Sequence, residues 1–101
     1  MAYKIKVKKR FTNKVIKLIY YLETEWGNTV AERFANKLEK RLDELLGQPF
    51  TGIKSETFRN VRSILITRHN RLYYRIKDTT IEIINLYDTR MDPKKNIYLK
   101  K

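Results

Sequence analysis

The feature that most constrains the fold is a group of three β-prone runs in the second half of the chain. Val61 to Thr67, Arg71 to Lys77 and Thr80 to Tyr87 are rich in aromatic and β-branched residues. The gaps between these runs are very short, so consecutive strands are expected to pair as an antiparallel meander. The turns are predicted near His69-Asn70 and near Asp78-Thr79.

Two amphipathic helices are predicted before the meander. Apolar side chains recur every three or four residues from Phe11 to Trp26 and again from Val30 to Leu46, which places each set along one side of a helix. Gly27 lies where a helix C-terminus favours a left-handed residue. The pattern therefore predicts a two-helix hairpin, with Trp26 in the core, followed by an irregular loop over residues 48–60.

The N-terminus adds one more strand. Tyr3, Ile5 and Val7 alternate with lysines, which is the period of two that a half-buried strand requires. The expected fold class is therefore α+β: an N-terminal strand, a two-helix hairpin, and a three-stranded antiparallel meander packed on the helices. The chain is expected to form one domain over residues 1–101, with residues 91–101 as a flexible basic tail that orders on docking.

The charge balance points to a polyanionic or acidic partner. Lys and Arg number 23 against 11 Asp and Glu, which gives a formal net charge of +12. Such a surplus on a small protein attracts nucleic acid, the ribosome, an acidic protein or an anionic membrane face. The alternative is a charged surface that serves only solubility, but such surfaces normally mix the two signs more evenly.

Composition disfavours several other classes of protein. The chain has no cysteine and a single histidine, His69, so neither disulfides nor a zinc site are expected, and no metal or cofactor is predicted. No segment approaches the ~20 apolar residues that span a bilayer, and the N-terminus carries lysines where a signal peptide is apolar. We therefore expect a protein of the cytoplasm without a membrane partner.

The predicted turn at His69-Asn70 decides which side chains share a face of the sheet. In this register Arg62 pairs with Lys77. One face would then be basic: Arg62, Ile64, Ile66, Arg68, Arg71, Tyr73, Arg75 and Lys77. The other face would pack on the helices: Val61, Ser63, Leu65, Thr67, Leu72, Tyr74 and Ile76.

Arginines without an acidic partner on the basic face are the candidate binding groups. The second turn places Arg75 opposite Glu82, so Arg75 is interpreted as half of a structural ion pair worth ~0.2–1 kcal/mol. No such partner is predicted for three others: Arg62, Arg68 and Arg71. Guanidinium groups fork onto phosphates and Tyr73 could stack on a base, although an exposed tyrosine is equally often a plain β-former. His69 is interpreted as a turn residue rather than an acid or base, despite its suitable titration range.

Three segments of the chain resemble one known superfamily. The run from Asn70 to Ile76 carries a basic residue, two apolar or aromatic positions, a tyrosine and a further apolar position. Asn60-Val61-Arg62-Ser63 is similar to a strand with an arginine shortly after the loop, and the run from Ile83 to Pro93 is similar to a last strand with its closing Arg-x-Asp-Pro. In order and spacing, and over nearly the whole chain, these segments resemble the RelE/ParE toxin superfamily, which includes plasmid stabilisation proteins.

The resemblance implies the toxin of a bacterial type II toxin-antitoxin system, with one of two activities. RelE-like members enter the ribosomal A site and cut mRNA, using the 2′-hydroxyl as nucleophile and no metal. ParE-like members poison DNA gyrase and need no cleavage site. The implied partner is an antitoxin whose acidic or amphipathic segment orders on contact with the basic toxin.

Four residues fall on the catalytic positions of the nuclease pattern: Arg62, Arg71, Arg90 and Tyr98. Three more are candidates for RNA binding: Arg68, His69 and Tyr73. The arginines would stabilise the phosphorane, while His69 or Tyr98 would have to transfer protons. Ile64 stands where the family has a second basic residue, and Glu56 would have to supply a glutamate that some relatives use.

The sequence therefore favours a ribosome-dependent, metal-independent mRNA endonuclease. The alternative is a ParE-like gyrase inhibitor without catalytic activity of its own, which the helix hairpin and Ile64 favour. A DNA-binding repressor is disfavoured, because neither predicted helix has a basic recognition face.

Overall fold

The chain folds as a two-helix hairpin on one face of a five-stranded mixed sheet. The computed structural model describes residues 2–99. The elements in chain order are β1 (Lys4–Val7), α1 (Lys9–Trp26), α2 (Asn28–Gly47), a 3-10 turn (Pro49–Thr51), β2 (Ile53–Lys54), β3 (Val61–Thr67), β4 (Asn70–Lys77), β5 (Thr80–Asp88) and a second 3-10 turn (Pro93–Lys95). The strand order is β1-β5-β4-β3-β2. The predicted α+β class is confirmed.

The predicted meander is the centre of a larger sheet than expected. β1 adds at one edge and runs parallel to β5, with Ile5 opposite Ile81. β2 adds at the other edge and runs antiparallel to β3, with Ile53 opposite Ser63. β2 lies within the segment predicted as an irregular loop, since a strand of two residues is too short to show a period.

Both helices turn their apolar stripes toward the sheet. Phe11 on α1 and Phe34 on α2 are buried, and Gly27 adopts a φ of 95° that allows the chain to reverse between the helices. The prediction of a core position for Trp26 is wrong, because its side chain is 66% exposed. Trp26 ends α1, one turn beyond Leu22, which still packs on the core. Within residues 2–99 no helix is long and apolar enough to cross a membrane.

The β3–β4 hairpin has a different register from the predicted one. Its turn is Arg68-His69, with Thr67 opposite Asn70. The Thr67 hydroxyl donates to Asn70 Oδ1 (2.8 Å) and accepts from the backbone N–H of His69 (3.1 Å), and these bonds close the turn one residue early. A bulge between Leu65 and Thr67 shifts the pairing further.

The bulge, and not the earlier turn, reverses the predicted faces of β3, because a turn moved by one residue changes the pairing by two positions and keeps each side chain on its side. Arg62 pairs with Tyr74 and not with Lys77, so Arg62 lies on the helix side of the sheet. Ile64 and Ile66 also face the helices, where they contact the core. On β4 the predicted faces are confirmed: Leu72 and Tyr74 are buried in the core on the helix side, whereas Tyr73 is buried in a separate cluster on the other face.

The β4–β5 hairpin has the predicted turn. Lys77 pairs with Thr80 around Asp78-Thr79, and Asp78 adopts a positive φ of 55°. The predicted pairing of Arg75 with Glu82 is confirmed. A register shift between Tyr73 and Tyr74 follows, and it breaks the predicted alignment of Tyr73 with Ile84.

Tyr74 joins the sheet to the loop that follows the helices. Its ring is fully buried in the core, and its hydroxyl donates to the Pro49 carbonyl (2.7 Å) and accepts from the Gly52 N–H (2.9 Å). A Cβ on Gly52 would lie 2.5 Å from this hydroxyl and 2.9 Å from the Ser63 carbonyl. Glycine is therefore required at position 52 for the loop to approach the sheet so closely.

We predict that Tyr74→Phe lowers the free energy of unfolding by about 1–3 kcal/mol, because it leaves two buried backbone groups unsatisfied. Gly52→Ala should destabilise by at least as much through the steric clash. Urea denaturation measures both effects. Tyr20→Phe, which removes a hydroxyl from an exposed ring, is the matched control. Equal stability of the Tyr74→Phe and Tyr20→Phe proteins would contradict the role given to the Tyr74 hydroxyl.

Candidate functional site

The face of the sheet that points away from the helices is crossed by residues 92–99, the C-terminal strap. Asp92 caps the 3-10 turn at the start of the strap through its carboxylate. Asn96 then reaches the sheet: its Nδ2 donates to the Tyr73 hydroxyl (3.1 Å) and its Oδ1 accepts from the backbone N–H of Tyr98 (2.9 Å). These bonds fix the strap over β4.

Four aromatic rings form a cluster where the strap meets the sheet, and one of them, Tyr98, belongs to the strap. Tyr98 stacks on Tyr73 with a centroid distance of 4.3 Å and an interplanar angle of 18°. Tyr87 and Phe58 meet the Tyr98 ring edge-on at 5.8 Å and 5.3 Å. Tyr73 is 3% exposed and Tyr98 is 9% exposed. The ring face of Tyr73 on which a base would stack is thus occupied by Tyr98.

Within this cluster, the surroundings of Tyr87 favour its protonated form. Burial raises the pKa of Tyr87 above its ordinary value of 10.0, and the neighbouring Tyr98 acts in the same direction. The Tyr87 hydroxyl therefore stays protonated at neutral pH. Across residues 2–99 no group of three or more His, Cys, Asp or Glu side chains could hold a metal ion.

Arg71 lies beside the strap, between two shallow clefts. Its Nη1 donates to the Ser63 hydroxyl (3.0 Å) across the strand pair. One cleft, of about 170 Å³, separates Arg71 from the end of β5 and the strap, and the other, of about 360 Å³, separates it from Lys54 on β2. In the described part of the chain, no carboxylate forms an ion pair with Arg71, Arg68 or Arg62.

Arg62 is not part of the Arg71 surface. Its Nη1 donates to the carbonyls of Phe50 (3.1 Å) and Gly52 (2.9 Å), and its guanidinium lies 5.2 Å from the centroid of the Phe50 ring. The predicted shared face of Arg62 and Arg71 is wrong, because the register of β3 turns Arg62 toward the loop. Arg62 therefore anchors the backbone of residues 50–52.

Arg68, His69 and Arg90 come together at one end of the sheet. The backbone N–H and hydroxyl of Thr89 donate to the carbonyls of His69 (2.9 Å) and Arg68 (2.8 Å), which ties the β3–β4 turn to the end of β5. Arg90 donates to the Asp88 carboxylate through Nε (3.0 Å) and Nη2 (2.8 Å). These hydrogen bonds hold the pKa of Asp88 below its ordinary value of 3.8. We call Arg68, His69, Arg71 and Arg90 the basic end.

Glu82 is a carboxylate shared by two cations. Arg75 donates to Glu82 Oε1 through Nε (3.0 Å) and Nη2 (2.8 Å), and Lys8 Nζ lies 3.8 Å from Oε2. The Arg75 hydrogen bonds, with Lys8 as a weaker contributor, hold the pKa of Glu82 below its ordinary value of 4.5. The predicted structural role of Arg75 is thus consistent with its contacts.

Sequence patterns did not predict a third cleft, of about 490 Å³, beside the loop that precedes β3. It is lined by Phe50, Lys54, Phe58, Arg59, Asn60 and Arg62, among others. The available signal was the alternation of phenylalanines with cations in residues 50–62. This alternation has no helical or strand period, so by pattern alone the segment is indistinguishable from a connecting loop.

A protein-family model described as the ParE toxin of the type II toxin-antitoxin system parDE matches residues 5–93. The chain belongs to the ParE toxin family. It is therefore a type II toxin of the RelE/ParE superfamily, as the three sequence segments indicated. No curated protein matches the chain significantly in sequence.

Solved structures of related toxins share this fold at low sequence identity. The chromosomal ParDE system from P. aeruginosa matches with a TM-score of 0.73 and 14% identity, over 85% of this chain and 95% of that one. The E. coli DinJ-YafQ toxin-antitoxin complex matches with a TM-score of 0.63 and 12% identity, over 89% and 96% of the two chains. The YoeB dimer from Staphylococcus aureus matches with a TM-score of 0.59 and 15% identity, over 84% and 94%.

We predict that the stability contributed by Glu82 depends on pH. The folded pKa of Glu82 lies below its unfolded value, so its stabilisation is complete above the unfolded pKa and is lost as the pH falls through the folded pKa. Glu82→Gln should therefore be less stable than the parent at pH 7, and the difference should shrink below about pH 5. Urea denaturation at pH 7, 5, 4 and 3 measures this difference.

Glu39→Gln, at an exposed position on α2, is the control for that series. Its difference from the parent should stay near zero throughout. A Glu82→Gln difference that is the same at every pH would show that Glu82 does not act through its charge.

Proposed function

We propose that this ParE-family toxin inhibits DNA gyrase, and that it does so by binding rather than by cutting nucleic acid. The observation that carries the proposal is that three of the four residues on the nuclease pattern are turned away or engaged within the fold. Arg62 is held by loop carbonyls on the helix side of the sheet, Tyr98 is packed on Tyr73, and Arg90 is paired with Asp88. Cleavage of a phosphodiester needs charge stabilisation and proton transfer at one place.

The basic end and the strap are the proposed contact surface. Arg68 is exposed at the hairpin turn, and Arg71 lines the clefts on either side of its own side chain. Arginine is favoured at protein interfaces because its planar guanidinium can pair with carboxylates at a low cost in entropy. A cationic surface of this kind would accelerate association with an acidic region of gyrase or with its bound DNA.

Ribosome-dependent mRNA cleavage is the second candidate function. It is favoured by Arg71, which forms no ion pair within residues 2–99 and falls on a catalytic position of the nuclease pattern. In this case Arg71 would contact the scissile phosphate, and the strap would have to move before Tyr73 could stack on a base. Arg68 and His69 would then lie on the RNA-binding side.

An antitoxin is the proposed cellular partner, since the solved relatives include toxin-antitoxin complexes. The surface of α1 offers a place for it. Ile16 and Tyr20 are exposed one helical turn apart, and Lys9 and Lys17 flank them. An amphipathic segment with acidic residues would cover the apolar pair and contact these lysines.

Purified toxin should inhibit supercoiling by gyrase and leave cell-free translation of a reporter mRNA unchanged. Arg71→Ala should weaken the inhibition about tenfold or more, the effect of losing one arginine that contributes strongly to an interface. Lys40→Ala, which removes a cation from α2, is the matched control and should keep full potency. Cut reporter mRNA with uninhibited gyrase would select the nuclease function instead.

The antitoxin surface is tested with the cognate antitoxin, which we expect to be an acidic protein encoded beside the toxin. The double variant Ile16→Ser/Tyr20→Ser should bind that protein at least tenfold more weakly, because a serine pair offers little apolar area. Ile53→Ser removes an exposed apolar side chain from β2 and is the control. If calorimetry shows that only Ile53→Ser loses affinity, the antitoxin does not bind at α1.

A further inference from the structure

The charged residues that line the cleft beside the loop before β3 are all cationic. Three cations line it, Lys54, Arg59 and Arg62, and no carboxylate does so in the described part of the chain. Its volume of about 490 Å³ is within the usual range for a small-ligand site. It is formed by the loop and the start of β3, whereas Arg68, His69 and Arg90 lie at the other end of that strand. The cleft therefore lies away from Arg68, His69 and Arg90, although Lys54 lines both this cleft and the one beside Arg71.

One of these cations is already held in place. Arg62 Nη1 is bound to the carbonyls of Phe50 and Gly52, while its Nε and Nη2 make no hydrogen bond within residues 2–99. These remaining N–H groups form a fork of the kind that binds phosphate oxygens. Because the side chain is anchored before any ligand arrives, binding would cost little further side-chain order.

Two aromatic rings stand beside the cations with much of their surface in solvent. Phe50 is 59% exposed and Phe58 is 40% exposed, and both line the cleft. Phe58 is supported from behind by its edge contact with Tyr98. Exposed rings next to cations match the way in which proteins hold single-stranded nucleic acid, with bases stacked on aromatic side chains and phosphates on basic ones.

The loop that carries these groups is ordered by its own hydrogen bonds. The Ser55 hydroxyl accepts from the backbone N–H groups of Thr57 and Phe58, both at 3.1 Å. The Ser55 N–H donates to the Val61 carbonyl (2.8 Å), and Asn60 takes a positive φ of 62° just before β3. These hydrogen bonds fix the backbone that forms the cleft.

We propose that this cleft binds one nucleotide of a single-stranded nucleic acid. The phosphate contacts Arg62 and Arg59, with Lys54 at the rim, and the base stacks on Phe58 or Phe50. A duplex does not fit this arrangement, because its bases are stacked on one another and cannot reach a ring. The site requires neither gyrase inhibition nor mRNA cleavage, so it stands independently of the proposed function.

The test is fluorescence anisotropy of a labelled 12-nucleotide DNA or RNA strand with the purified full-length toxin, at several salt concentrations. Arg59→Ala should weaken binding about fivefold. It should also lower the slope of log affinity against log salt concentration by about one, because one counterion fewer is released. Phe58→Leu and Phe50→Leu should weaken binding without changing the salt dependence, since they remove stacking and no charge. Circular dichroism shows whether each variant is folded, and Phe50→Leu leaves the Tyr98 contact intact.

Lys40→Ala carries the same loss of charge as Arg59→Ala on another surface and should bind almost as tightly as the parent. If Lys40→Ala and Arg59→Ala lost the same affinity for the strand, binding would be due to diffuse attraction between the basic protein and a polyanion, and not to the cleft. Unchanged binding by both phenylalanine variants, or equal affinity for the duplex form, would also overturn the proposal. None of these measurements contains gyrase or ribosomes, so their outcome is independent of the toxin's target.

Discussion

The structure depends on one pair of opposite residues in the β3–β4 hairpin, Arg62 and Tyr74. Both side chains leave the sheet on the helix side and bind the same short loop: Tyr74 bonds to Pro49 and Gly52, and Arg62 bonds to Phe50 and Gly52. The loop connects the helix hairpin to the sheet, so its position sets how the two layers meet. Two polar groups from neighbouring strands thus satisfy a loop that would otherwise bury unpaired backbone groups.

Local patterns were sufficient to predict most of the elements. Amphipathic periodicity in residues 11–46 predicted two helices, and short gaps in residues 61–87 predicted an antiparallel meander. The β4–β5 register was predicted in its first half because Asp78-Thr79 is a compact turn with one plausible pairing. The aligned Arg75 and Glu82 followed directly from that register.

The candidate site was predicted less well, because it depends on long-range pairing. The β3–β4 turn moved from His69-Asn70 to Arg68-His69, which leaves the faces of β3 unchanged, and the bulge between Leu65 and Thr67 then sent Arg62 to the other side of the sheet. Composition could not distinguish these turns, since the deciding contact is the hydrogen bond between Thr67 and Asn70. The contact of Asn96 with Tyr73 joins residues far apart in the chain, and no local sequence pattern predicts it.

Whether the charge of an arginine on this sheet is available to a ligand depends on the group that its guanidinium contacts. The net charge of +12 is therefore not gathered on a single functional surface. Arg75 and Arg90 lie next to carboxylates, so their charge is largely neutralised within the fold. Arg62 is bound to neutral carbonyls, which fix its direction and leave its charge available to a ligand. Arg71 is bound to a hydroxyl and keeps its charge in the same way. Because the latter two point to opposite sides of the sheet, the fold presents two cationic sites that can engage different partners.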